Sequence, residues 1–228
     1  MTLQLYDLAL SDIDVRPSPY CWLVKYALLH KGLKFETIPL RFTEKENYPD
    51  PEHGQLPILK DGDQVICDSL NIIAYLEKHH ANDPLTSTKG ERAAVDFYLA
   101  WMGAILYPAL GPMLMARVHS AAHEDDREYF RTAREARFGK TLEELSSMPG
   151  QREKTEAALE MLAAPLTRYK YLGGDMPNLG DYAVFGVFMW QRTVCSETLY
   201  EAPQAVDAWQ ERMLDLYDGY GRKAARAS

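Results

Sequence analysis

The chain has 228 residues, 46% of them hydrophobic, enough to bury a sizeable core in one large domain or two small ones. Its net charge of −8, with the tail residues Arg222, Lys223 and Arg226 as the one basic cluster evident, argues against nucleic acid or an anionic membrane as partner. Three cysteines (Cys21, Cys67, Cys195) make no disulfide scaffold, and "MTLQLYDLAL" lacks a secretory n-region and cleavage site, so a reducing, cytoplasmic setting is expected.

The first eighty residues alternate in type. "TLQLYDL" has period-two apolar residues, Leu3 and Leu5, and predicts a strand. "PYCWLVKYALLHKG" follows as a helix, with Trp22, Leu23, Tyr26 and Leu29 on one face and Gly32 as its stop. "LKFETIPL" is a second strand, and "RFTEKENYPDPEHGQ" is too irregular to assign. "LPILKDGDQVIC" predicts a hairpin turning at Asp61-Gly62, and "DSLNIIAYLEKHH" an amphipathic helix. The order is β-α-β-(loop)-β-β-α.

After the linker-like "ANDPLTSTKG" only helical patterns remain, over about 90–107, 125–147, 150–170, 180–195 and 203–218. The expected division is therefore 1–80, a linker at 81–89, and an all-helical 90–228. Phe97 to Ala116 carries no charged residue and is nearly long enough to span a bilayer. Pro108 and Gly111-Pro112 interrupt it, which predicts a buried helix broken near its end. In "PNLGDYAVFG", Asn178 is a helix cap and Asp181 can reach back to its amide.

Candidate chemistry begins at "SPYC", which has the spacing of a Cys-x-x-Cys redox site with its first sulfur replaced by the Ser18 hydroxyl. Ser18 followed by Pro19 is also an ordinary way to start a helix. The two roles are compatible, because free amides and the helix dipole favour an anion at that end, and a hydroxyl there can donate to a bound thiolate. Leu56-Pro57 lies at the mouth of a strand. With a trans bond it is an edge residue; with a cis bond it turns the Leu56 backbone outward toward an extended ligand. Asp68 and Ser69 cap the next helix and, equally, suit the ammonium and carboxylate of an amino-acid head group. His119 and His123 have metal-ligand spacing but no convincing third ligand, so no metal is expected. Cys21, lacking a partner at position 18, is expected to face the core.

Together, on this frame, "SPYCWLVKYALLHKG", "GQLPILKDGDQVICDSLNIIAYLE" and "LGGDMPNLGDYAVFG" resemble the glutathione transferase superfamily over essentially the whole chain. "DREYFR-AREARFG", "FMW" and "LDLYDGYGR" resemble more narrowly the branch of bacterial lignin β-etherases and etherase-related fungal transferases. The resemblance implies a thioredoxin-like α/β N-terminal domain, an all-α C-terminal domain, glutathione as co-substrate and a homodimer. It implies that Ser18 stabilises the glutathione thiolate, that Leu56 before a cis-Pro57 pairs with the cysteinyl backbone, and that Asp68 and Ser69 hold the γ-glutamyl head. Lys45 and Gln55 are the candidates for the glycine carboxylate, with Arg41 and His53 as rivals. Tyr107, Met113 and Arg117 are the candidates for an electrophile pocket suited to aromatic substrates. Three functions compete: a transferase acting on aromatic or ether-type electrophiles, a non-catalytic carrier of aromatic ligands, and a glutathione-dependent thiol-disulfide oxidoreductase using Cys21.

Overall fold

A computed structural model describes residues 2–227. Strand β1 (Leu3–Leu8) lies between two partners. It runs parallel to β2 (Phe35–Leu40), in register from Leu3–Phe35 to Leu8–Leu40, and antiparallel to β3 (Ile58–Asp61), from Gln4–Lys60 to Tyr6–Ile58. Strand β4 (Gln64–Cys67) completes the order β2-β1-β3-β4. The hairpin turns at Gly62, where a φ of 58° suits glycine. Helix α1 (Pro19–His30) links the two parallel strands, and α2 (Ser69–His79) follows the hairpin and packs on α1. Strand periodicity explains the layering. Leu3 and Leu5 join Val24, Leu28 and Ile72 in the main core, while Leu40, Tyr48 and Ile58 form a small second cluster.

An ion pair ties α1 to β1: Lys25 Nζ lies 2.9 Å from the Asp7 carboxylate, both side chains being almost fully buried. Burial depresses the Lys25 ammonium, and the Asp7 charge opposes that. Lys25 also sits 3.5 Å over the Trp22 ring.

The rest of the described chain is helical: α3 (Lys89–Trp101), a π-helical turn (Met102–Leu106), α4 (Tyr107–Ala121), α5 (Glu124–Phe138), α6 (Leu142–Ser146), α7 (Gln151–Leu166), α8 (Leu179–Val194) and α9 (Gln204–Gly219). Two expectations need correction. The prolines do not break the 97–116 helix: Pro108 falls in the first turn of α4, just after the wide π turn, where its missing N–H costs little, and Pro112 is carried inside the helix. The run at 125–147 is two helices, because Gly139 takes a left-handed φ of 66° and caps α5. Residues 89–121 are long and apolar enough to cross a bilayer, but 56% of the most apolar window is buried inside the fold, so the apolar stretch largely serves the core.

Helix α8 is buried almost all round and is the element against which α1 rests. The contact is close because position 186 is glycine: a Cβ there would lie 2.3 Å from the Pro19 carbonyl oxygen. Its start is fixed by Asp181, which accepts from the amides of Leu172, Gly173 and Asn178 and from Trp209 Nε1, all at 2.8–3.0 Å. Farther along α1, His30 Nδ1 meets the Tyr182 hydroxyl at 2.6 Å, which meets the Tyr217 hydroxyl at 2.6 Å. Tyr217 reaches that point because it and Asp218 adopt left-handed backbone angles at the end of α9.

Candidate active site

Two adjoining clefts, of about 480 and 430 Å³, open where the start of α1 faces the helical half. Ser18 lies in the first. It is the N-cap of α1, its side chain only 7% exposed, and Oγ accepts the Cys21 amide at 3.2 Å. The cap uses a lone pair of the oxygen, so the hydroxyl can still donate, with the Cys21 thiol as its near neighbour. Behind it, burial and the nearby Asp7 charge push the Cys21 thiol far above its ordinary range. That thiol is a fully buried core group, and the same burial favours its neutral form, which weakens the case for redox chemistry at this position.

The Leu56-Pro57 bond is cis. Leu56 lies just outside the β1–β3 ladder, which ends at Tyr6–Ile58, and both residues line the second cleft. So do Asp68 and Ser69. Asp68 has a φ of 73°, and one carboxylate oxygen accepts the amides of Leu70 and Asn71 at 2.9 and 3.4 Å. Its second oxygen has no described partner, and the residue is exposed.

Gln55 and His53 border both clefts, and Lys45 borders the first, its Nζ 5.0 Å from the centre of the Tyr129 ring. Arg41 is turned away and pairs with Glu44 and Asp125. The 41–55 loop is tied to α5 by Asp126, whose buried carboxylate accepts the Thr43 amide at 3.0 Å and the Thr43 hydroxyl at 2.6 Å. Ser18, Lys45, Gln55, Leu56, Pro57, Asp68 and Ser69 are thus brought to one continuous depression.

The three residues expected in the electrophile pocket separate. Tyr107 lines the first cleft, stacked on Trp190 (5.1 Å, 27°) and facing Tyr20 (6.4 Å, 29°). Gly111 makes room for this, since a Cβ there would sit 3.3 Å from the Trp190 ring. Met113 and Arg117 do not line either cleft. Met113 is buried in the core, and Arg117 donates to the Met113 carbonyl and pairs with Glu197 on a different face of α4. The side chain that follows Met113 toward the cleft is Met115.

Tyr20, Trp190, Arg134 and Arg137 belong to the same lining and were not among the sequence candidates. Tyr20 sits inside the "SPYC" motif and could have been found there. The arginines are hidden in "EDDREYFRTAREARF", which has the look of a solvated, charge-mixed helix. Burial raises the Tyr107 phenol and depresses the Arg134 guanidinium. His119 packs against Phe130 and His123 caps α5, and no group of three metal-ligating side chains occurs among the described residues.

A βαβ-ββα unit with a cis proline, followed by helices that wall one side of a shared cleft, defines the two-part transferase class of thioredoxin-like proteins. The family model "Glutathione S-transferase, N-terminal domain" matches residues 13–84, and "Glutathione S-transferase, C-terminal domain" matches 93–217. The chain belongs to the glutathione transferase family. It is 26% identical over 196 residues to Glutathione S-transferase 1 of Zea mays, covering 83% of this chain and 84% of that protein. It is 29% identical over 192 residues to the probable glutathione S-transferase GSTF2 of Oryza sativa subsp. japonica, covering 80% and 81%. Among solved structures, glutathione transferase GSTFuA3 from Phanerochaete chrysosporium superposes with a TM-score of 0.74 at 25% identity, over 96% of this chain and 92% of that one. CsGST83044 of Ceriporiopsis subvermispora, solved in complex with glutathione, reaches 0.79 at 18% identity over 96% and 99%, a likeness of fold.

Proposed function

We propose that Ser18 holds the thiolate of bound glutathione in the first cleft, for attack on an aromatic electrophile lying against Tyr107. The observation that carries this is the Ser18 hydroxyl, fixed by the Cys21 amide at the start of α1 and bordering the cleft. An ordinary thiol ionises near ~8.5, and lowering that by two units takes about 2.7 kcal/mol. A hydrogen bond to a charged group supplies about 1.5–3 kcal/mol and the end of α1 roughly another 0.5, so one serine is sufficient.

In this reading Asp68 takes the γ-glutamyl ammonium and Ser69 its carboxylate, the Leu56 backbone pairs with the cysteinyl unit, and Lys45 and Gln55 receive the glycine carboxylate. The thiol proton goes to solvent. The sulfur then forms a bond to carbon while the leaving group departs with its electron pair. For an etherase-type substrate the attacked carbon sits beside a ketone, and the leaving group is a phenolate.

Cytoplasmic placement is supported by three unpaired cysteines. Homodimer assembly is carried over from the family, and Phe97 and Ile105 are among the large apolar side chains left exposed on the helical half. The aromatic lining also suits a carrier, and the same experiment separates the two readings. Thiolate absorbance of bound glutathione is followed against pH for wild type and Ser18→Ala. A midpoint near 6.5 that returns toward ~8.5 in the variant is expected. An unshifted midpoint in both proteins leaves the carrier.

A further inference from the structure

Helix α5 presents Arg134 and Arg137, three residues apart and so on one face, to the cleft that holds Ser18. Neither guanidinium has a carboxylate partner among the described residues. Arg131 on the same helix is held by Glu135 and Glu143. Arg127, also on α5, has no acid but donates to the Ser120 and Ala122 carbonyls, as Arg212 and Arg226 donate to other carbonyls. Arg134 and Arg137 make no side-chain hydrogen bond of either kind among the described residues. Four of the five acids of α5 are engaged elsewhere: Asp125 pairs with Arg41, Asp126 binds Thr43, Glu128 accepts from Thr132, and Glu135 takes Arg131 and the Leu142 amide. The carboxylates of the joined clefts are two exposed ones: Glu52 on the opposite loop and Asp68, which shares the second cleft with Arg137.

Arg134 is half-buried, lies 4.8 Å from the centre of the Phe130 ring, and borders Tyr107 in the lining. A cation partly withdrawn from water with no counter-charge is an incomplete site: an anion entering the cleft gains a charge-assisted, bidentate contact without displacing an existing partner. The cleft also supplies a surface for a ring, the Tyr20–Tyr107–Trp190 stack.

We infer that the acceptor taken by this site is an aromatic compound bearing an anionic group, with its ring on that stack and its anion on Arg134 and Arg137. This deepens the transferase reading, and it rests on that reading only for the chemistry, not for the binding.

The probe is a matched pair: 4-chloro-3-nitrobenzoate and its uncharged methyl ester, both open to displacement of chloride by a thiolate, with a C–S bond formed and a C–Cl bond broken. Binding of each is titrated calorimetrically with S-methylglutathione present, glutathione is titrated alone, and conjugation is followed with glutathione. Wild type is expected to bind the acid at least tenfold more tightly than the ester. Arg134→Gln and Arg137→Gln should each cut that preference about tenfold, and Arg134→Lys, which keeps the charge but not the planar fork, should restore only part of it. Glutathione affinity in Arg134→Gln should stay within twofold of wild type. Equal binding of acid and ester overturns the inference. So does a loss of glutathione affinity in Arg134→Gln that matches the loss of acid binding, since the guanidinium then serves the tripeptide. Discrimination without any conjugate supports the anion site and removes the transferase reading; conjugation without discrimination does the reverse.

Discussion

Asp68 does two jobs with two oxygens. One carboxylate oxygen caps α2 through the Leu70 and Asn71 amides, and the other has no described partner in a residue that lines the second cleft. A pair of variants separates the jobs. Asp68→Asn keeps an oxygen for the cap and removes the charge, so glutathione Kd should rise about fivefold to tenfold, roughly 1–1.4 kcal/mol, with Tm unchanged. Asp68→Ala should weaken binding at least as much and also lower stability by about 1 kcal/mol. Calorimetric titration and thermal melts on the same preparations decide it; equal melts for the two variants would contradict the cap. Residues of this kind were legible in the sequence because capping restricts residue type: Ser18, Asp68, Asn178 and Asp181 all stand out from their position before an apolar run. Arg134 and Arg137 were not legible, because an arginine paired on a helix surface and one left unpaired in a cleft have the same local sequence.

At the scale of elements, the site depends on two packed joints. The first is α1 on α8. Gly186→Ala places a Cβ against the Pro19 carbonyl, one residue from the Ser18 cap, and neither backbone can yield cheaply. The expected cost is about 2–3 kcal/mol, with a raised glutathione Kd, whereas Gly90→Ala in the first turn of α3 meets nothing closer than 3.8 Å and should leave both unchanged. Urea melts with a parallel glutathione titration measure this. The second joint is Asp126 under the 41–55 loop. Asp126→Ala frees the Thr43 amide and hydroxyl, so Lys45 and Gln55 lose their anchored position, and glutathione affinity should drop severalfold while turnover at saturating glutathione holds. Steady-state kinetics with glutathione varied distinguishes a KM effect from a kcat effect. Periodicity revealed most of these helices, yet it did not reveal the joints: they are made between residues 43 and 126 or 19 and 186, and a single sequence carries no sign of such pairs. The loop resisted assignment for the same reason, since its order comes from α5.

Across the whole molecule, α1, α8 and the end of α9 meet at His30, Tyr182 and Tyr217, which closes the N-terminal unit onto the helical one. Burial, aided by the charge on Lys31, lowers the His30 pKa below its ordinary value of about 6.5. Between those two values the unfolded chain binds a proton that the folded chain refuses. Stability from this group is therefore complete above about 6.5 and is lost as pH falls toward the lowered value. Wild type should lose Tm relative to His30→Gln on going from about pH 7 to pH 5. His119 is shifted in the same direction and is present in both proteins, so it cancels from the difference. A difference that is flat with pH would mean that the fold does not shift the His30 pKa.

The π turn at Met102–Leu106 makes the cleft a question of frame. An α-helix advances about 100° per residue, and a π turn holds one residue more than an α turn. Winding the same residues as a regular α-helix would swing everything after them by about a quarter of a revolution. Tyr107 would leave the aromatic stack and Gly111 would no longer admit Trp190, with every side chain of α4 still present. Within this architecture, how that one turn is wound decides what the cleft accepts more completely than any exchange of side chains along its wall.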